Sequence, residues 1–198
     1  MRSSEETSPA TEPRHWIERL SDGCHVIIRP LCRSDEDAER AFIKSLSPES
    51  RRARFLGHVS ERDDALITKL LDIDQVNDVA VAAFSPDMSG ERIVGVSRYS
   101  VGPDKERCEC AVVVADDWQR KGLGSALMGR LIEIAKRSGL RSMDSFDLAN
   151  NRDMHDLAKR LGFSVRSDTN DPRQVIYTLR LDDSLGAQRH VPSWGNRA

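Results

Sequence analysis

The chain has 198 residues, of which 30 are Lys or Arg and 32 are Asp or Glu, giving a formal net charge of −2. That length supports one sizeable core or two small ones, and no internal repeat or linker divides it, so one folded domain is expected. The balanced charge offers no general attraction for nucleic acid or an anionic membrane surface, and neither is expected as a partner.

Residues 1–22 read as a polar N-terminal tail. Met1 to Pro9 has no apolar core for a signal peptide, and no stretch approaches the length of a membrane span, so a cytoplasmic protein is expected. His25 to Pro30 reads as a first strand ended by proline. Ser34-Asp35-Glu36-Asp37 offers an N-cap and an acidic first turn for a helix through Phe42 and Ile43. Ser47-Pro48-Glu49-Ser50 repeats the signal with proline at the first helical position, and leads into Arg51, Arg52 and Arg54. A further helix is expected from Ser60, with Leu66, Ile67, Leu70 and Leu71 on one face. Val79–Phe84, Ile93–Val101 and Glu106–Val114 are three β-rich runs parted by short proline- and glycine-containing joins, the pattern of an antiparallel meander. Leu123, Leu127, Leu131 and Ile134 then mark the apolar face of a helix that Gly139 stops. Ser142–Leu148 reads as a strand, Asn151–Leu161 as a helix, Gly162–Val165 and Val175–Leu181 as the last strands, and residues 183–198 as a second tail.

The sum is an α+β fold: a mixed, mostly antiparallel sheet of about seven strands flanked by helices, occupying residues 23–182. The cysteines at 24, 32, 108 and 110 match no zinc spacing and read as thiols on buried or half-buried small side chains, so no metal is expected. His15, His25, His58, His155 and His190 form no motif with one another.

The chemistry concentrates after the third β-rich run. Val112-Val113-Val114-Ala115 gives way to Asp116-Asp117-Trp118, then to Gln119-Arg120-Lys121-Gly122-Leu123-Gly124-Ser125 and a helix. Strand, turn, glycine-containing basic loop and helix N-terminus together aim free backbone N–H groups at an anion. Two phosphate loops are excluded. A Walker A loop needs Lys-Ser/Thr directly after its second glycine, where Ser125 stands, and a dinucleotide fingerprint needs a third glycine at Leu127.

What remains, Gln/Arg-x-x-Gly-x-Gly/Ala, resembles the acyl-CoA pyrophosphate loop of the GNAT N-acetyltransferase superfamily. Asn151-Arg152-Asp153-Met154-His155-Asp156-Leu157-Ala158-Lys159-Arg160-Leu161-Gly162-Phe163 is similar to that family's C-terminal segment. The wording Asn150 to Met154, Ala158 in place of the common tyrosine, Arg29-Pro30 and Ser47-Pro48-Glu49-Ser50-Arg51 resemble the bacterial Pat-type protein lysine acetyltransferases, over about residues 25–181.

The resemblance implies acetyl-CoA as cosubstrate. Backbone groups of residues 119–125 would hold its pyrophosphate, with Arg120 and Lys121 adding charge, and main-chain groups of Val112 and Val114 would pair with the pantetheine arm, with Val113 between them in the same cosubstrate-binding run. Asn151 would bond the cosubstrate or its water, the alternative being a helix N-cap. Glu109 lies on the opposite strand face from Cys108 and Cys110, and a carboxylate there either reaches a cavity or pairs with a cation. The resemblance implies a general base at this position, and a lysine ammonium with a pKa of about 10.4 needs one. Partial burial of Glu109 is therefore expected. With Ala158 lacking a hydroxyl, water or the amine's own proton would protonate the leaving thiolate. Asp144 and Asp147 face opposite sides of their strand, and neither takes a role. The function implied is acetyl transfer to a primary amine, a protein lysine side chain, by direct attack in a ternary complex. A small-molecule amine as acceptor, or a catalytically weak acyl-CoA-binding sensor, are the alternatives. Ser45–Arg62 reads either as the rim that meets a protein acceptor or as a solvated helix pair.

Overall fold

In the computed structural model, residues 15–55, 70, 73–87 and 90–182 are described. Strands β1 (Trp16–Arg19), β2 (His25–Pro30), β3 (Asp78–Asp87), β4 (Gly90–Val101), β5 (Arg107–Val114), β6 (Ser142–Leu148), β7 (Ser164–Ser167) and β8 (Gln174–Arg180) form one sheet. Its order is β1-β2-β3-β4-β5-β6-β8-β7. Four α-helices stand among the described residues: α1 (Glu36–Ser45), α2 (Pro48–Phe55), α3 (Leu123–Arg137) and α4 (Arg152–Leu161). Every neighbouring strand pair is antiparallel except β5 and β6, which the crossover through α3 makes parallel.

The mixed, mostly antiparallel sheet is as expected, with eight strands against about seven. The added strand is β1, inside the segment read as a tail through residue 22, and it pairs with β2. It is held locally by its hairpin with β2, which turns at Asp22-Gly23 with Gly23 at φ 87°, and from far along the chain by Arg130 of α3, which pairs with Glu18 and whose guanidinium lies 5.5 Å from the Trp16 ring centroid. The helix expected from Ser60 falls outside the described residues apart from Leu70, whose carbonyl accepts a hydrogen bond from Arg98 Nη1 at 2.7 Å.

Alternation along β4 separates the two faces. Ser97 Oγ donates to the Leu127 carbonyl of α3 at 3.2 Å, whereas the next residue, Arg98, pairs with buried Glu39 of α1. Helices α3 and α4 thus cover one face of the sheet, and α1 and α2 the other. Apolar packing forms two clusters, one around β2, β3, β4 and α1 and one around β5, β6, β8 and α4. Helix α3 serves both, Leu123 and Leu127 entering the first and Met128 and Leu131 the second. Cys108 and Cys110 are buried as expected, but Cys24 and Cys32 are exposed, a correction: the first closes the β1–β2 turn and the second sits beside the Arg29–Asp35 ion pair. No described helix is long and apolar enough to cross a membrane.

Candidate active site

Strands β5 and β6 stay together for three pairs only, Arg107 with Ser142, Cys108 with Met143 and Glu109 with Asp144. Beyond them β5 continues against β4 as far as Val114, while β6 continues against β8 as far as Leu148. A gap opens between them. The Ala115 N–H bonds the Val94 carbonyl on the β4 side at 2.9 Å, so by alternation the main-chain groups of Val112 and Val114 face the gap. The Val114 carbonyl meets Gln119 Nε2 there at 3.3 Å. A cavity of about 570 Å³ fills the gap and reaches both faces of the sheet, with Glu49, Ser50, Ala53 and Arg54 of α2 on one side and residues of α3 and α4 on the other.

At the far end of the gap the loop turns into α3. Gly122, with φ 88°, is the N-cap residue and has no side chain to occupy the orphan donors. The first intrahelical bond runs from the Ala126 N–H to the Gly122 carbonyl at 3.1 Å. The N–H groups of Leu123, Gly124 and Ser125 therefore have no helical acceptor, and with the dipole of a 15-residue helix behind them they make an anion site. A Cβ on Gly124 would meet Leu157 at 3.4 Å and Val114 at 3.9 Å, so glycine keeps the groove between α3 and α4 clear of anything larger than a methyl.

Val112, Val113, Val114, Gln119, Arg120, Gly122, Gly124, Ser125 and Asn151 all line this one cavity. Lys121 and Leu123 are not in its lining. Lys121 turns back to Asp22 at 3.1 Å and over the Trp118 ring, and Leu123 is core, so only their backbone is available. Arg120 is 81% exposed and paired with Asp153 at 2.9 Å, an arrangement with long-range reach and little stabilising weight. Helix α2 is braced against the loop by Asp116, which accepts from the Ser47 N–H at 2.8 Å and from the Ser47 and Ser50 hydroxyls at 2.7 Å each. Partial burial pulls the Asp116 carboxyl up, but those bonds outweigh it and hold the group below the ordinary carboxylate range.

Glu109 occupies the last pair before the strands part, on the face covered by α1 and α2. It is exposed and stands outside the cavity lining, which corrects the expectation of partial burial: its cross-strand neighbours are Ser100 and Asp144, too short to enclose it. Its charge is felt by Arg54, whose guanidinium burial and the nearby Arg98 push down to about 10 while Glu39 and Glu109 act in the opposite sense. Arg54 lines the cavity and makes no ion pair among the described residues.

Asn151 is the N-cap of α4, its Oδ1 accepting from the Met154 N–H at 3.2 Å. Its amide Nδ2 donates to both oxygens of Asp147, at 3.0 and 3.1 Å. Asp147 is the residue that sequence reasoning passed over. It is 8% exposed, lines the cavity, and burial raises its carboxyl to about 6 despite the bonds from Asn151 and the Leu148 N–H. Asp144 points the other way and accepts from Thr178 Oγ1 at 2.6 Å. The available signal was the four-residue spacing from Asp147 to Asn151 across a strand-to-helix turn. Of the segment Ser45–Arg62, residues 56–62 lie outside the described part, and Glu49 and Arg54 are its charged residues that line the cavity.

The model of the acetyltransferase (GNAT) family matches residues 41–163. An acetyltransferase of Pseudomonas aeruginosa is 46% identical over 172 residues, covering 87% of this chain and 92% of that protein. The acetyltransferase Pat of Mycolicibacterium smegmatis is 29% identical over 135 residues, covering 68% of this chain and 40% of that protein. Among solved structures, the GNAT domain of S. lividans PAT superposes with a TM-score of 0.75 at 22% identity, covering 84% of this chain and 96% of that one. A putative acetyltransferase from Salmonella typhimurium, yncA, solved with acetyl-CoA, gives 0.61 at 18% identity, covering 82% and 97%. The strand gap, the free N–H groups that end it and these matches agree: the chain is an acetyltransferase of the acetyl-CoA-dependent GNAT family.

Proposed function

We propose that this enzyme transfers the acetyl group of acetyl-CoA to a protein lysine side chain in the cytoplasm, by direct attack within a ternary complex. The observation that carries this reading is the gap that opens at Glu109 and connects both faces of the sheet. The N–H groups of residues 123–125 hold the pyrophosphate, the main-chain groups of Val112 and Val114 take the pantetheine arm as a neighbouring strand would, and Asn151 fixes the start of α4 beside it. The acceptor enters from the α2 face. Glu109, at the point where the strands part, removes the proton that makes the amine a nucleophile, directly or through water. Its exposure suits a base that must meet a hydrated ammonium.

One observation favours a small acceptor instead. Arg54 places a guanidinium without an ion-pair partner among the described residues in the α2 wall, where a carboxylate carried by a free amino acid would find it. The deciding experiment supplies labelled acetyl-CoA with folded proteins, lysine peptides, and a panel of amino acids, polyamines and aminoglycosides. Protein lysine labelling that depends on Glu109 supports the proposal. Saturable labelling of a small amine with none in protein replaces it with the second reading, and CoA binding without transfer to any acceptor points to a sensor.

A further inference from the structure

Any amine that attacks a thioester leaves a thiolate to be protonated, and the cavity offers few groups for that step. Its lining contains no tyrosine, cysteine, histidine or lysine among the described residues. Helix α4 presents Met154 and Leu157 to it, and Ala158, buried behind them, has no proton to give. The carboxyl groups in the lining are those of Glu49, Asp147, Asp153 and Asp156, of which Asp147 alone is buried.

The position of Asp147 is as informative as its burial. On β6 it shares a face with Met143 and Ser145, the face covered by α3 and α4. Glu109 faces α1 and α2, so the two carboxyls flank the gap from opposite sides of the sheet. The oxygens of Asp147 also differ. Oδ1 accepts from the Leu148 N–H at 2.6 Å and from Asn151 Nδ2 at 3.0 Å, whereas Oδ2 has only the shared contact with Asn151 at 3.1 Å. The groups packed around it do not supply a counter-charge. Helix α4 contributes Asn151 and, farther along the cavity wall, Asp153 and Asp156, with Arg120 engaged by Asp153 and Arg160 exposed at the rim. Strand β8 contributes the buried Tyr177, whose ring stands 6.3 Å from that of His155, and β5 contributes Val112.

We propose that Asp147, from Oδ2, is the catalytic acid that protonates the departing thiolate. The step rests on the acetyl-transfer reading above. The amine lone pair forms the C–N bond to the thioester carbon, and the C–S bond breaks with its electron pair remaining on sulfur. The Asp147 proton passes to that sulfur, giving the free thiol; Glu109 hands the ammonium proton it took before attack to solvent, accepts the second proton that nitrogen releases as the amide forms, and returns that one to solvent after turnover. Asp147 regains a proton from solvent before the next turnover, and burial keeps a protonated fraction available near neutral pH. Base and acid are thereby separated, one on the side where the acceptor arrives and one on the side where the thiol departs.

The test compares wild type, Asp147→Asn and Glu109→Gln with acetyl-CoA and with its selenoester analogue, whose selenolate is a weaker base and leaves without a proton. The expected result is a loss of about a hundredfold in kcat for Asp147→Asn with acetyl-CoA, unchanged CoA affinity, and recovery of most of the rate with the selenoester. Glu109→Gln shows no such recovery. A wild-type rate in Asp147→Asn, or an equal loss with both donors, overturns the role of Asp147 alone. If wild type acetylates nothing with either donor, the acetyl-transfer reading falls first and this step with it. A measurement free of turnover keeps the proposal testable should the variant misfold. The carboxyl ¹³C resonance of Asp147, followed from pH 4 to 8 in the wild-type protein with CoA bound, is expected to titrate near or above 6, and a midpoint in the ordinary carboxylate range overturns the proposal.

Discussion

Replacing Glu109 by glutamine preserves the shape of the side chain and deletes its basicity. Turnover at neutral pH is expected to fall about 10²- to 10⁴-fold while CoA affinity stays within error, which steady-state kinetics beside a CoA titration will check. Asp147 predicts a stability effect of its own. Its folded carboxyl titrates near 6, above the ordinary value of 3.8, so the folded chain binds more protons than the unfolded chain between those limits. Stability from this group is complete below pH 4 and is lost as pH rises to about 6. Each tenfold rise in proton affinity corresponds to about 1.36 kcal/mol, so Asp147→Asn is expected to stabilise the protein at pH 7 by up to about 3 kcal/mol and to give nothing at pH 4. Urea unfolding at the two pH values measures the difference. Asp35 runs in the opposite sense. Burial pulls its carboxyl upward, Arg29 and Cys32 outweigh that pull and hold it at about 2, and its contribution is lost only as pH falls from about 4 towards 2.

Among the elements, α2 carries the acceptor wall and is short, eight residues of which none has its whole side chain buried, so its position leans on its N-terminus as well as on the packing of Phe55. Ser47 caps it through Ser50, and Asp116 grips both serines. Asp116→Ala is expected to cost about 1–2 kcal/mol in thermal or denaturant unfolding and to raise KM for the acceptor more than for acetyl-CoA, because the α2 wall loosens while the α3 N-terminus is untouched. The signals that made α2, α3, α4 and β6 legible in the sequence are of this local kind: a Ser-Pro start, a leucine stripe, an Asn cap, alternation within one run. Strand β1 had one as well, the Asp22-Gly23 turn into β2, which went unread; only the anchoring of Glu18 by a residue 112 positions away lay beyond local reach. The same division holds at the site. The loop from Gln119 to Ser125 was legible because its glycines and basic residues are contiguous, and Glu109 because a carboxylate interrupts an apolar run. The exposure of Glu109 and the burial of Asp147 both follow from where β5 leaves β6, which depends on strand partners distant in sequence.

At the scale of the whole molecule, acetyl-CoA or CoA binding only the folded state stabilises it by mass action, about 2.7 kcal/mol at a hundredfold excess over Kd. For a chain of this size that corresponds to a rise of roughly 5–10 °C in Tm. Gly124→Val is expected to abolish most of the rise, its branched side chain filling the groove between Leu157 and Val114, and paired melts with and without CoA will show it. The three-pair seam between β5 and β6 has a further consequence. It is all the strand pairing that joins the first five strands to the last three, so in solution the sheet is expected to breathe there, hinging open faster than either half unfolds. Hydrogen–deuterium exchange would register this as rapid exchange of the Val112 and Val114 amides beside slow exchange along β3 and β4. Ligand would close the hinge by completing the ladder, and protection of those two amides on adding CoA would show a small molecule standing in for the missing length of a strand.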